Sequence, residues 1–192
     1  DNEDRVLQTG LAKIAELALK ISPKYQEWAQ SIWLRGRTNP KVVFQALNLS
    51  GTLLKLDDNP RVLQWVKYVK AYNSPGKKKG IKFSDNDIYQ LLSKNTDNSE
   101  LVVLFYSLKN NESFKSLSES MAKVVFDDWL RKEVRPENVM AQLKLTGNHA
   151  SDISDHTLRT KIHEDYVFAF LKDFELRAYR AHLDKLLGGK KY

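Results

Sequence analysis

At 192 residues, with 42% apolar content, 8 Gly and 5 Pro, the chain is long enough for one large domain or two small ones with packed cores. Having no Cys, it cannot use disulfides, thiolate metal sites or cysteine nucleophiles. The net charge of +7 is lopsided: residues 1–80 hold 14 Lys/Arg against 7 Asp/Glu, and the remainder balances at 17 each. A solvated basic face is the favoured reading of that bias, with nucleic acid, an anionic membrane face or an acidic protein as the alternatives. No apolar run reaches the roughly 18 residues of a membrane-spanning helix. The first thirty residues also lack the cationic start, apolar stretch and small-residue site of a secretory leader. A soluble chain is expected, with any targeting leader either removed or never present.

In chain order, Leu7, Leu11, Ile14, Leu17 and Ile21 fall on one helical stripe and predict a first helix over about residues 4–21. Further starts follow at Ser22-Pro23, Asn39-Pro40 and Asn59-Pro60. In each, a capping side chain accepts an orphan N–H and Pro fills the first turn, where its missing donor costs nothing. The helix-breaking, charged run Asn73-Ser-Pro-Gly-Lys-Lys-Lys-Gly80 is the best linker. Ser84 with Asp87 and Arg135-Pro136-Glu137 open two more helices, and a last one is expected from about Thr157 to Leu187, ending at Gly188-Gly189. No alternating β-branched segment with a tight hairpin turn is seen, so the fold class is all-α, with eight to ten helices.

Catalytic and metal chemistry find no foothold. His149, His156, His163 and His182 have no ligand spacing, and the chain calls for no cofactor. Asp127 and Asp128 precede Trp129, but neighbouring helix residues diverge by about 100°, so a solvated pair is expected rather than acid chemistry. Gly76-Lys77 is followed by Lys rather than Ser or Thr, which rules against a phosphate loop. Lys77, Lys78 and Lys79 suit a solvated linker better than a nuclear-import or nucleic-acid patch. Tyr89-Gln-Leu-Leu92 fits an autophagy-receptor peptide pattern, yet its apolar side is needed for the core. Asn48-Leu-Ser50 and Asn111-Glu-Ser113 are formal glycosylation sequons.

An internal repeat carries more information. A shift of 96 positions superposes Trp33-Leu34 on Trp129-Leu130, Pro40 on Pro136, Val43 on Val139, Leu47 on Leu143, Leu49 on Leu145 and Gly51 on Gly147. Two extra residues in the next loop then align Tyr68-Val-Lys-Ala-Tyr72 with Tyr166-Val-Phe-Ala-Phe170. The matches fall on apolar and turn positions, where a shared fold constrains the sequence. Core placement is expected for Trp33, Tyr68, Trp129 and Tyr166. Trp28 and Trp65, replaced by Val124 and His163, are less constrained, and one of them is free to reach the surface.

A Trp, a Pro seven residues on, then Leu-x-Leu-x-Gly, and a Tyr-x-x-x-Tyr/Phe helix about 35 residues after the Trp together resemble the WY core of oomycete RXLR effectors. Ile88-Tyr-Gln-Leu91-Leu92 and Leu101-Val-Val-Leu104-Phe105-Tyr-Ser-Leu108 are similar to the L element that makes a WY unit an LWY unit. The resemblance implies two tandem helical bundles in an elongated array: a WY-like module over 1–75, a basic linker over 76–82 and an LWY-like module over 83–192. Neither an Arg-x-Leu-Arg sequence nor an intact Asp-Glu-Glu-Arg signal is present, and Asp1-Asn-Glu-Asp-Arg5 has the character of such a segment's end. The sequence is therefore expected to begin just after the export region.

By the same resemblance the chain is a secreted, non-enzymatic virulence effector delivered into the cytoplasm or nucleus of plant cells, where it binds a host protein to suppress immunity. Phosphatases, kinases, ubiquitin ligases and autophagy proteins are the implied target classes, and the tandem arrangement favours protein phosphatase 2A. No membrane partner is implied. The rival reading is a nucleic-acid-binding helical protein using its basic N-terminal module, with affinity that falls steeply with salt. In the last helix, Phe174, Leu176, Tyr179, Leu183, Leu186 and Leu187 are more apolar surface than a terminal helix needs. Leu183, Leu186 and Leu187 are expected to contact a second copy of the chain or the host target.

Overall fold

The computed structural model describes residues 26–51, 53, 55–74, 82–146 and 153–186. The helix expected over 4–21 and the Lys77–Lys79 run lie outside the described residues. Eight α-helices, one 3-10 turn and no strand are found among the described residues: α1 (Gln26–Arg35), α2 (Pro40–Ala46), α3 (Pro60–Asn73), α4 (Asp85–Leu92), α5 (Asn98–Leu108), α6 (Lys115–Arg131), α7 (Pro136–Gln142) and α8 (Ile153–Leu186). The Asn39-Pro40 and Asn59-Pro60 starts act as the sequence implies, while Ser22-Pro23 lies outside the described residues. The Asn39 side chain accepts from Lys41 N at 2.9 Å, and Asn59 accepts from Arg61 N at 3.0 Å and Val62 N at 3.3 Å. At α4, Ser84 and Asp87 form a reciprocal capping box.

The chain forms two compact units, Asp1–Asp97 and Asn98–Tyr192. In the first, α1 and α2 pack on α3, and the 3-10 turn Leu56–Asp58 closes against α3. Helix α4 belongs to this unit, although the sequence groups it with the second module. Two tethers explain this. The Asn73 amide brackets the Phe83 backbone, donating to its carbonyl at 2.7 Å and accepting from its N–H at 2.9 Å. Phe83 in turn sets its ring edge-on to Trp65, at 6.3 Å between centroids. Leu53 N also donates to Asn95 O beyond α4, at 2.7 Å.

In the second unit α5 packs on α6, and α5, α6 and α7 all pack on α8. Helix α5 is buried from Ser99 through Tyr106 on every side, as a helix apolar around most of its circumference must be. Its one charged residue, Glu100, is buried with Arg159, whose Nη2 lies 3.8 Å from Glu100 Oε1 and whose Nε bonds Asp155 at 2.8 Å. Lys144 also approaches Glu100, at 3.7 Å. A buried charge of this kind is tolerated only with such partners.

Candidate functional site

Each unit is organised around a Trp–Tyr pair. Trp33 and Tyr68 meet edge-on at 6.1 Å, and Trp129 and Tyr166 at 5.1 Å; all four side chains are buried. The pairing is set by a hydrogen bond as well as by the rings. Tyr68 Oη donates to Thr38 O at 2.6 Å, with Trp33 O as a second acceptor at 3.2 Å, and Tyr166 Oη donates to Val134 O at 2.6 Å. Burial raises the Tyr68 phenol well above its usual range and pushes Tyr166 up to about 12. These hydroxyls are structural donors at neutral pH rather than acids.

The acceptor carbonyls are presented by a turn that occurs in both units. After α1, Arg37 adopts φ 49, Arg37 N bonds Leu34 O and Thr38 N bonds Trp33 O. After α6, Glu133 adopts φ 52, Glu133 N bonds Leu130 O and Val134 N bonds Trp129 O. Both are Schellman ends, with a left-handed residue that closes the helix and turns the chain back. A second pair follows α2 and α7, at Asn48 (φ 58) and Lys144 (φ 57). All four left-handed residues keep the 96-residue spacing of the repeat, and none is Gly, so the usual sequence mark of such a cap is missing.

The less constrained tryptophans separate. Trp65 is fully buried, stacks its edge on Phe44 at 5.1 Å and donates Nε1–H to Pro40 O at 2.8 Å, whereas Trp28 is exposed. His163, which replaces Trp65, places Nε2 3.1 Å from Pro136 O, the repeat-equivalent carbonyl. A ring N–H therefore reaches the same acceptor in both units from different side chains. The expectation for Asp128 is corrected: it is buried, accepts from Asn98 Nδ2 at 2.8 Å, and pairs with Lys132 at 2.6 Å and with Arg131. It joins the start of α5 to the end of α6, a role for which its sequence neighbours carry no signal.

Among the described residues the surface is most apolar along α8. Six of the nine exposed large hydrophobic side chains among the described residues lie on this helix: Phe168, Leu171, Phe174, Leu176, Tyr179 and Leu186. Leu183 is half-buried, and Leu187 lies outside the described residues. On the side facing its own unit, α8 borders a cleft of about 390 Å³ floored by Leu130, Phe170, Phe174 and Ala178. At its rim Arg177 bonds Asp173 at 2.6 Å, Glu133 at 2.9 Å and the Leu130 carbonyl at 3.1 Å, which pins α8 to the end of α6. Among the described residues no His/Cys/Asp/Glu group could hold a metal ion, and no helix is long and apolar enough to cross a membrane.

Two family models match. The WY-domain of effector PexRD54 matches residues 28–69, from α1 through the Trp33–Tyr68 pair, and the RXLR phytopathogen effector WY-domain matches residues 71–123, ending before Trp129. The chain is similar to RxLR effector protein PexRD18 of Phytophthora infestans, with 33% identity over 71% of this chain and 28% of the relative. It is also similar to RxLR effector protein 54 of the same organism, with 31% identity over 71% of this chain and 36% of the relative. The chain belongs to the WY-type RXLR effectors of oomycetes. RxLR effector protein Avh331 of Phytophthora sojae is 30% identical over 67% of this effector chain and 44% of its own length. The effector chain thus spans between about a quarter and under a half of these relatives.

Proposed function

We propose that this chain acts as part of a secreted virulence effector, translocated into plant cells, that works without catalysis by holding a host protein. The observation that carries the reading is the apolar surface of α8, concentrated on one helix while the Trp–Tyr cores are sealed. Surface clusters of this kind, rimmed by polar groups, are characteristic of association sites. Buried Trp–Tyr pairs and paired Schellman turns supply a rigid frame, and outer residues choose the partner. Phe174, at the cleft, and Leu183, Leu186 and Leu187, further along the sequence, are assigned to association with a host protein or a second copy. Protein phosphatase 2A is the host target that the tandem arrangement favours.

Affinity purification of the tagged chain from plant tissue, read by mass spectrometry and by immunoblot for the phosphatase scaffold, tests the reading. Wild type is expected to capture a defined host protein that both Phe174→Glu and the triple leucine-to-Glu variant lose while keeping their helical signal. Capture of the same proteins by wild type and both variants would sink it.

A further inference from the structure

We propose that the outward stripe of α8 pairs with the same stripe of a second copy, in a short parallel coiled coil. This rests on the reading that the end of α8 is an association surface, and it names the occupant of one side. Leu176, Tyr179, Leu183 and Leu186 recur at intervals of three, four and three, the a–d–a–d pattern of a coiled-coil seam. At 100° per residue the seam points away from Phe170, Phe174, Arg177 and Ala178, which face the unit's own cleft. Leu176, Tyr179 and Leu186 are exposed and Leu183 is half-buried, so three of the four seam residues are not spent on the chain's own core.

Charge decides the occupant and its direction. With Leu176 at an a position, Glu175 is the preceding g residue and Arg180 the following e residue. In a parallel pair each g residue meets the e residue five positions on in the partner, so Glu175 of each copy meets Arg180 of the other, twice by symmetry. Both side chains are exposed. An antiparallel pair using the same four seam residues would instead bring Arg180 beside its own copy. The seam is only about two heptads long, too short for an isolated peptide. Here the helix is already formed and held at Arg177, so association does not have to order it. A weak, concentration-dependent dimer follows.

Sedimentation equilibrium of the purified chain over a concentration series tests this. The apparent mass of wild type is expected to climb from 22.2 kDa toward twice that value. Leu183→Glu with Leu186→Glu should hold it at the monomer mass with the helical signal intact. Glu175→Arg or Arg180→Glu alone should each weaken dimerisation about tenfold, and the double reversal should restore it. These two sites are exposed, so their exchange does not threaten the fold. A wild type that stays at the monomer mass throughout, or a double reversal no better than either single change, overturns the proposal. The measurement contains no host component, so its failure leaves the host-binding reading intact. Loss of host capture by Phe174→Glu, whose side chain lies off the seam, bears on that reading alone.

Discussion

The two units build one frame from different core chemistry. Both end their Trp helix in a Schellman turn and lock the following carbonyl with a Tyr hydroxyl at 2.6 Å. Around that lock the first unit is packed with rings, Trp65 against Phe44 and Phe83. The second has His163 in place of Trp65 and inserts Phe126, which stacks on Trp129 at 5.9 Å and meets Tyr166 edge-on at 5.4 Å. It also buries Asp128, Glu100 and Arg159. What persists is backbone geometry and its hydrogen-bond acceptors; what varies is the material that fills the space around them. A polar contrast runs the other way: Gln64 is buried with neither amide atom hydrogen-bonded, whereas its repeat partner Ile162 is apolar and fully buried.

Truncating the two tryptophans is expected to have the largest effect on this shared frame. Trp33→Ala and Trp129→Ala should each cost about 3–5 kcal/mol through the cavity left behind, measured by denaturant unfolding of the full chain. A loss below about 1 kcal/mol in either would break the equivalence of the two units.

Replacing each Tyr by Phe isolates the lock from the packing. Tyr68→Phe and Tyr166→Phe should each cost about 1–3 kcal/mol by leaving a carbonyl unsatisfied. Tyr68 should be the more costly, since its hydroxyl faces two carbonyls. The same variants carry a pH signature. Both phenols ionise less readily folded than unfolded, so their contribution is complete below the ordinary phenol value of about 10 and is lost as pH rises beyond it. For Tyr166 that loss runs through about 12. The alkaline fall in stability should be shallower in each Phe variant than in wild type.

Exchanging the Gln64–Ile162 contrast sharpens the comparison at a single core position. Gln64→Ile should stabilise the chain by about 1–2 kcal/mol by removing an unpaired amide, and Ile162→Gln should destabilise it by at least as much. Equal and small effects in both directions, read from the same unfolding curves, would show that the amide is satisfied in solution.

The smallest effect is expected at the left-handed caps. Asn48→Gly should change stability by only a few tenths of a kcal/mol, because Asn tolerates this conformation well, whereas Lys144→Gly relieves about 1 kcal/mol of backbone strain but loses the Lys144–Glu100 approach. Thermal melts should show little net change at Asn48. A large loss there would mean that the side chain, not the turn, closes α2.

The repeat, the all-helical class and the core placement of Trp33, Tyr68, Trp129 and Tyr166 were readable from the chain, because periodicity, Pro-led helix starts and matched spacing are local or one-dimensional signals. The last helix was legible too, expected over about 157–187 and observed as Ile153–Leu186. Other features needed the third dimension. Arg37 and Glu133 take left-handed conformations with no Gly at those positions to announce them, and the carbonyls that follow, of Thr38 and Val134, meet a Tyr hydroxyl from about thirty residues later. Helix α4 belongs to the first unit because Asn73 and Phe83 tether it there, a contact across a linker that composition marks as a boundary. Asp128 looked solvated beside Asp127, yet it is buried, because partners from α5 and the end of α6 converge on it. Local sequence determines where helices begin and which face is apolar, because those properties depend on neighbours three or four residues away. Which carbonyl receives a hydroxyl, which charge is buried and which leucine stays exposed depend on residues distant in the chain, and only tertiary packing decides them.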